Sequence, residues 1–383
     1  MEDLTKLREE MDKADDALLT ALEQRMRVAE KIGNYKKSSG KPIYDGLRER
    51  EKLSAIYDKA DELTQPFVPP IYSLLFEISR SIQSKLIQEK SEEALQVRKV
   101  IEEMSSKAFP VRAVVACQGI EGAFSQEACE KLFQIPSIMF MKNFSQVFSA
   151  IESGLCKYGV LPVENSNAGT VSAVYDQMIQ HHFKIVRAIR VKVDHNCLMN
   201  PGSKMSDIKE VISHEQALNQ CREFIKNLGP DVKVTACQNT AEAAKIVSTS
   251  GRNDICCLSS KRCSELYNLE IMQTSVQDSD NNYTRFIVIS KDLEIYPGAN
   301  RTSMMMILNH EPGSLYRILA FFYSRGINLV KLESRPLPGR MFEFMFYFDL
   351  ETSIYNEGFA EMIEDLHSMT KEFRYLGSYN EVV

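Results

Sequence analysis

Along the first hundred residues, apolar side chains return every three or four positions: Leu4, Leu7, Met11, Ala14, Leu18, Leu22, Met26, Ala29 and Ile32. Steps of that size place them on one stripe of a long amphipathic α-helix. The breaker cluster Ser38-Ser39-Gly40-Lys41-Pro42 ends it. A second helix is expected from Asp45, whose carboxylate suits an N-cap, through Leu53 and Ile56 toward Pro66. A third starts after Pro69-Pro70 and continues to about residue 99. Three helices, one of them very long, bury little alone, so this segment is expected to self-associate.

From about residue 110 the pattern alternates. Short β-branched runs at 112–117, 159–163, 211–213, 232–236 and 286–289 are separated by helical patterns at 145–153, 217–228 and 241–250. Such alternation predicts an α/β region with a substantially parallel sheet. From about residue 301 the order becomes strand 303–308, helix 314–325, strand 328–334, strand 341–349, helix 359–371 and a short strand at 375–379. That βαββαβ order is the one found in ferredoxin-like sandwiches. Linkers are expected near 104–110 and 291–300, giving segments 1–104, 105–295 and 296–383.

Composition narrows the function classes. The 383 residues include 46 basic and 52 acidic side chains, a formal charge of −6. General nucleic-acid binding relies on surplus Lys and Arg, so it is disfavoured. Small anionic ligands are not, because a few local arginines can oppose the overall sign. No run of about 18 apolar residues predicts a membrane span. The charged start MEDLTKLREEMDKADD lacks the apolar core of a signal peptide. Nine cysteines lie mostly inside apolar runs and form no CxxC pair, which predicts reduced, buried thiols in a cytoplasmic protein and neither a zinc site nor a disulfide framework.

In the helical segment, Arg25 and Lys36 fall on nearly the same helix face, about 16 Å apart along the axis. Two long side chains can close such a gap around a small anion. Arg8 projects about 100° away from that face, and an antiparallel second copy of the helix is needed to bring it there. Singly, such basic residues are most often solvated. Ser79 and Gln83 differ, since they lie among Leu74, Leu75, Ile78, Ile82 and Leu86, where polar groups need a reason. Together, Leu7-Arg8-Glu9, Arg25, Gly33-x-x-Lys36, Pro42-x-x-Asp45-x-x-Arg48-Glu49 and Ser79-x-x-x-Gln83 resemble the all-helical chorismate mutase family.

That resemblance implies intertwined dimers in which one arginine crosses to the partner, and rearrangement of chorismate to prephenate without a covalent intermediate. Arg8 and Arg25 would clamp carboxylates, where the guanidinium fork matters. Lys36 and Gln83 would hydrogen-bond the breaking ether oxygen. Asp45 and Glu49 would hold the ring hydroxyl, Ser79 would seat a carboxylate, and Arg48 would order the acids or touch the ligand.

In the α/β segment, Gly119-Ile120-Glu121-Gly122 joins a strand to a helix, but its G-x-x-G spacing is not the dinucleotide G-x-G-x-x-G. It reads as a tight turn with a helix N-terminus able to face an anion. Three polar clusters follow: Glu164-Asn165-Ser166-Asn167-Ala168-Gly169-Thr170, Ser213-His214-Glu215-Gln216 with Gln220, and Asn282-Tyr283-Thr284-Arg285-Phe286. Singly, helix capping explains Ser213 and Thr170, and a turn explains Asn165. In this order they resemble prephenate dehydratases, most specifically through Thr284-Arg285-Phe286. The resemblance implies two lobes of the kind seen in periplasmic binding proteins, facing each other over a cleft, with Thr284 essential. Thr284 would hydrogen-bond the departing hydroxyl, with Glu164, Asn165, Thr170, Ser213, Gln220 and Arg285 binding or polarising prephenate.

In the last segment, His310-Glu311-Pro312-Gly313-Ser314-Leu315 precedes a helix and Leu332-Glu333-Ser334-Arg335-Pro336 ends a strand. Turn chemistry explains each alone. As a pair they resemble the ACT module of these dehydratases, in which Gly313, Ser314, Leu315, Glu333, Ser334, Arg335 and Pro336 would build an L-phenylalanine site between paired modules. Ser314 stands where the family turn usually has alanine. The whole chain therefore resembles bifunctional chorismate mutase/prephenate dehydratases: an all-α mutase, a two-lobed α/β dehydratase and an α+β ferredoxin-like ACT module. No cofactor or metal is implied. Two other readings are a mutase fused to an NAD-dependent prephenate dehydrogenase, weakened by the missing dinucleotide motif, and a solute sensor, which has no use for Arg8, Arg25, Lys36 and Gln83.

Overall fold

The computed structural model describes residues 4–87, 92–103, 108–337, 339–340 and 343–382. They divide into two compact units. One comprises Met1–Arg98, Met306–Gly326 and Glu357–Phe373; the other comprises Lys99–Met305, Ile327–Asn356 and Arg374–Val383. Among the described residues, no helix is long and apolar enough to cross a membrane.

The N-terminal segment is helical: α1 (Leu4–Ser39), α2 (Gly46–Tyr57), α3 (Val68–Ile87) and α4 (Glu92–Glu103). Asp45 caps α2, its side chain accepting from the Arg48 amide at 3.0 Å. A continuous third helix running to residue 99 would cross positions 88–91, which lie outside the described residues. α1 and α3 run in the same direction, Arg25 level with Ser79 and Gly33 level with Gln83. Gly33 makes that approach possible, because a Cβ there would come 2.9 Å from Leu86 and 3.1 Å from the Gln83 backbone. Only part of the α1 stripe is covered. Ala29 is buried and Leu22 and Met26 half-buried, whereas Leu4, Leu7, Met11, Leu18 and Ile32 are exposed.

The α/β region holds two sheets. The first contains β1 (Arg112–Gln118), β2 (Ile135–Met141), β3 (Tyr158–Asn165), the short β4 (Gly169–Thr170), β5 (Lys184–Lys192) and β11 (Tyr283–Ser290). The second contains β6 (Asn196–Met199), β7 (Glu210–His214), β8 (Lys233–Cys237), β9 (Ile255–Ser259) and β10 (Glu270–Gln273). The helices are α5 (Phe124–Leu132), α6 (Phe144–Glu152), α7 (Ser172–Gln180), α8 (Glu215–Gln220), α9 (Arg222–Leu228), α10 (Thr240–Ser250) and α11 (Lys261–Leu266).

The sheets are mixed rather than mainly parallel. β1 pairs in parallel with β2 and β3, and β7 with β8 and β9, but β11 runs antiparallel to both β3 and β5, and β6 antiparallel to β9. Strands such as β3 and β9 are buried nearly throughout, which accounts for their continuous apolar runs. Two cysteines of β9, Cys256 and Cys257, act there as small apolar core residues.

The C-terminal run is β12 (Arg301–Ile307), α12 (Ser314–Ser324), β13 (Asn328–Pro336), β14 (Phe344–Glu351), α13 (Phe359–Met369) and β15 (Glu372–Tyr379), then β16 (Glu381–Val382). The start expected for β14, Met341, lies outside the described residues. The strands pair in the order β13-β14-β12-β15, while β16 joins β5 at the edge of the first α/β sheet. By contact, α12 and α13 group with the N-terminal helices and most of this sheet groups with the α/β region.

Arg285 departs from its expected role in substrate binding. Neighbouring residues of a strand point to opposite faces, and Arg285 faces away from Thr284 into the protein. Its guanidinium pairs with Asp349 and donates to Tyr379 Oη at 2.9 Å. Its Nε lies 2.8 Å from Glu381, close enough for charge attraction although not aligned for a hydrogen bond. Asp349 is fully buried and also accepts from Ser303 and, at 2.8 Å, from Tyr347 Oη. Burial alone would lower the Arg285 pKa, but the surrounding Tyr379 and Asp349 outweigh it and raise it. Arg285→Met should leave Asp349 buried without its cation. A loss of about 3–5 kcal/mol in unfolding free energy is expected, read by urea titration, and a change within about 0.5 kcal/mol would refute this role.

Candidate functional site

In the helical segment, Arg25 donates from Nη1 to Ser79 Oγ at 2.6 Å and to the Leu75 carbonyl at 2.8 Å. Its guanidinium lies 5.7 Å from the centre of the Phe76 ring. Burial lowers the Arg25 pKa, with Tyr72 and Glu49 pulling the other way; a guanidinium nevertheless stays charged at neutral pH. Lys36 donates to the Ile43 carbonyl at 2.6 Å. Gln83 is buried on α3, and its Oε1 has no hydrogen-bond partner among the described residues. An unpaired buried amide oxygen is costly, so Gln83 is not explained by core packing.

Arg25, Ser79, Lys36 and Gln83 thus share the α1–α3 face. Glu49 is half-buried, and both of its carboxylate oxygens take a hydrogen bond of 2.5 Å from Arg80. Sequence reasoning missed Arg80, although it follows Ser79 directly and could have been paired with Glu49 by charge. Arg80 also pairs with Glu77, which in turn lies 3.0 Å from Arg317 of α12. Asp45 serves as the α2 cap, and Arg48 is exposed, 3.8 Å from Glu51. Arg8 stands exposed, about 25 Å along α1 from Arg25, so a single chain does not bring it to the other residues.

In the α/β region a cleft of about 530 Å³ is lined by Asn165, Thr170, Gln220 and Thr284 from the expected set. That volume suits a small ligand. No Lys or Arg is among its lining residues. Positive potential comes instead from the N-terminal turns of α5 and α10, whose first residues border it, and from that of α7, whose cap residue Val171 does. Ser125, Asn239 and Thr240 on these turns were not singled out from sequence; the helix start after Gly122 was the one signal pointing to them.

Asn165 is the hub of the cleft. Its Nδ2 donates to Asn282 Oδ1 at 2.8 Å and to Thr284 Oγ1 at 3.0 Å, and its Oδ1 accepts from the amides of Asn167 and Ala168. Gln220 Oε1 accepts from Asn282 at 3.0 Å and lies 3.0 Å from His195 Nε2. The network therefore assigns the imidazole proton to Nε2. His195 was also missed. It is buried, burial lowers its pKa, and the ring is neutral at pH 7. Because the Thr284 oxygen accepts from Asn165, its own hydrogen is free for a ligand.

Two further expected residues lie away from this lining. Ser213 is fully buried and donates to the Leu258 carbonyl at 2.6 Å, tying β7 to β9, while His214 takes over the capping of α8. Glu164, beside Asn165 on β3, faces the other side of the strand and pairs with Lys331 at 3.1 Å.

The C-terminal motifs are placed separately. Gly313, at φ +83°, starts α12; Ser314 is buried and accepts from Arg317 at 2.8 Å, and Leu315 is half-buried. On β13, Glu333 accepts from Thr170 at 2.9 Å and Arg335 grips Asp176 with two bonds of 2.8 and 2.9 Å. Ser334 and Pro336 are on the opposite, exposed face. Among the described residues, no cluster of His, Cys, Asp and Glu could hold a metal ion.

Comparison with known proteins accords with this division. Residues 7–84 match the family described as chorismate mutase type II, and residues 115–294 match prephenate dehydratase. A bifunctional chorismate mutase/prephenate dehydratase from Aquifex aeolicus is 30% identical over 99% of this chain and 98% of its own. An arogenate dehydratase/prephenate dehydratase from Arabidopsis thaliana is 35% identical over 70% of this chain and 73% of its own. The crystal structure of a prephenate dehydratase from Arthrobacter aurescens in complex with L-Phe superposes with a TM-score of 0.64 at 26% identity, covering 70% of this chain and 89% of that one. With helices and cleft alike matched along nearly its whole length, the chain belongs to the bifunctional chorismate mutase/prephenate dehydratase family.

Proposed function

We propose that the chain catalyses both reactions for which its family is named, as a step pair in phenylalanine biosynthesis. The helical segment rearranges chorismate to prephenate, and the α/β cleft converts prephenate to phenylpyruvate. The observation that carries the second assignment is the direction of the Asn165–Thr284 hydrogen bond. It leaves the threonine hydrogen free to meet the departing ring hydroxyl while the carboxylate on the opposite side of the ring leaves as carbon dioxide. The threonine is too weak an acid to complete the protonation alone, so a second donor shares the work. The substrate's carboxylates are matched to the helix N-termini and amide groups of the lining rather than to an arginine clamp.

For the mutase step, Arg25 and Ser79 seat a carboxylate, and Lys36 and Gln83 meet the ether oxygen as negative charge develops on it. Glu49, held by Arg80, lies near Arg25, and Asp45 and Arg48 keep the roles that the family resemblance gives them. Holding the substrate in its reactive conformer supplies much of the remaining acceleration. The distance of Arg8 and the exposed Leu4, Leu7, Met11 and Leu18 on the same helix support a homodimer in which α1 is covered by a second copy. Each such side chain gains about 1.5–3 kcal/mol on burial. Free, mostly buried cysteines, with burial pushing Cys221 up to about 12, support a reducing, cytoplasmic setting.

The strand order β13-β14-β12-β15 and the two C-terminal motifs support a ferredoxin-like ACT module in segment 296–383 that senses L-phenylalanine. The three-part division at 1–104, 105–295 and 296–383 belongs to the same reading. Feedback inhibition requires that the amino acid prefer a less active arrangement of the protein.

Lys36→Ala and Gln83→Ala should each lower mutase turnover by about 10²–10³-fold with unchanged circular dichroism; near wild-type turnover would refute their assignment. Thr284→Ala should abolish phenylpyruvate formation from prephenate while prephenate formation from chorismate persists, and loss of both in a folded protein would contradict separate sites. Titration calorimetry with L-phenylalanine should show saturable heat together with slower dehydratase turnover. No heat and unchanged kinetics would remove the sensing role.

A further inference from the structure

The cleft wall at Thr170 is held from outside the segment matched to prephenate dehydratase. β3 and β4 pair antiparallel, with Glu164 opposite Thr170, and the turn between them carries Asn165, Ala168 and Gly169 into the cleft. On the other side of this hairpin lies β13. Lys331, 8% exposed, donates to Thr170 Oγ1 at 3.0 Å and pairs with Glu164 at 3.1 Å. Its ammonium also sits 5.3 Å from the centre of the Tyr175 ring. Two residues on, Glu333 accepts the Thr170 hydrogen, and two further on, Arg335 binds Asp176 of α7 with both arms of its fork. Residues 331, 333 and 335 share one face of the strand, so a single edge meets the hairpin and the helix that follows it.

We propose that Lys331, braced by Glu333, is a positioning residue of the dehydratase, fixing the 165–170 wall and hence the amide of Asn165 that orients Thr284. The physical reason is that a buried ammonium cannot stand without anionic and hydroxyl partners, so its position and that of the hairpin are locked together. Asp349, its neighbour across β14, is already taken by Arg285, which leaves Glu164 as its acidic partner. The Thr170 hydroxyl is correspondingly committed. Its hydrogen goes to Glu333 and one lone pair to Lys331, on the face it shares with Glu164, so it has no hydrogen left to give. The dehydratase site is therefore incomplete without the C-terminal sheet. This inference rests on assigning the cleft to the dehydratase reaction.

The test uses the full chain carrying Lys331→Met, Glu164→Gln and the two together, with mutase turnover as the internal control for folding. Lys331→Met should lower dehydratase kcat by about tenfold or more, with a smaller change in KM and mutase turnover retained, because the wall is loosened rather than a substrate contact removed. Glu164→Gln in the Lys331→Met background should restore about threefold or more, since it removes the unpaired carboxylate. Unchanged dehydratase kcat in Lys331→Met, or purely multiplicative losses in the double variant, would overturn the proposal. If Thr284→Ala keeps full dehydratase activity, the assignment of the cleft itself falls; if that variant is inactive and Lys331→Met is not impaired, only the positioning role falls.

Discussion

The buried pairing of Arg285 with Asp349 is the constraint around which the larger unit is arranged. Two opposite charges, each nearly inaccessible to water, are tolerable only if every polar atom around them is engaged. Tyr379, Ser303 and Glu381 supply those partners from three other strands, and Tyr347 from Asp349's own strand. The cluster fixes β11 against the C-terminal sheet, and β11 carries Thr284 on its other face. The side chain proposed for catalysis and a structural anchor thus occupy consecutive positions of one strand, and the alternation of side chains puts them on opposite faces.

The same sheet reaches the cleft wall a second way, through Lys331 and Glu333 on β13, and the chain beyond it adds β16 to the edge of the first α/β sheet beside β5. These contacts are the basis for proposing that C-terminal residues help shape the cleft. They also redirect Glu333 and Arg335, which the motif alone assigns to amino-acid binding, toward Thr170 and Asp176. Ser334 and Pro336, on the other face of β13, remain open to a ligand. The proposed amino-acid site and the proposed cleft support would thus lie on opposite faces of one strand.

The binding strategies of the two halves differ. The helical segment offers charged side chains, Arg25 and Lys36, on packed helices. Among the described residues the cleft has no lysine or arginine in its lining; its polar groups are amides, hydroxyls, two histidines and helix N-termini. Dipoles fixed by secondary structure need no reorganisation as the substrate's charge shifts, and they carry no long flexible side chain to be ordered. Sequence reasoning favours charged residues as anion binders and so overvalued Arg285 and overlooked Thr240, Asn239 and Ser125.

Local patterns in the chain determined a good deal. The three-and-four spacing marked α1, Asp45 marked the start of α2, and short β-branched runs marked β1, β3, β7, β8 and β11, because periodicity and capping act between near neighbours. The motifs around Asn165, Gln220 and Thr284 singled out residues that do line one cleft. Strands β2, β5, β6, β9 and β10 went unmarked; β6 and β9 are short and wholly buried, which leaves no alternation to read. What only the tertiary structure decided is which way each side chain faces and what it meets. Arg285, Glu164 and Ser213 turn away from the cleft, and Arg80 takes Glu49. His195 enters the hydrogen-bond network, and Lys331 crosses 161 residues of sequence to hold Thr170. Those outcomes depend on contacts between segments far apart in the chain, for which local sequence carries no signal.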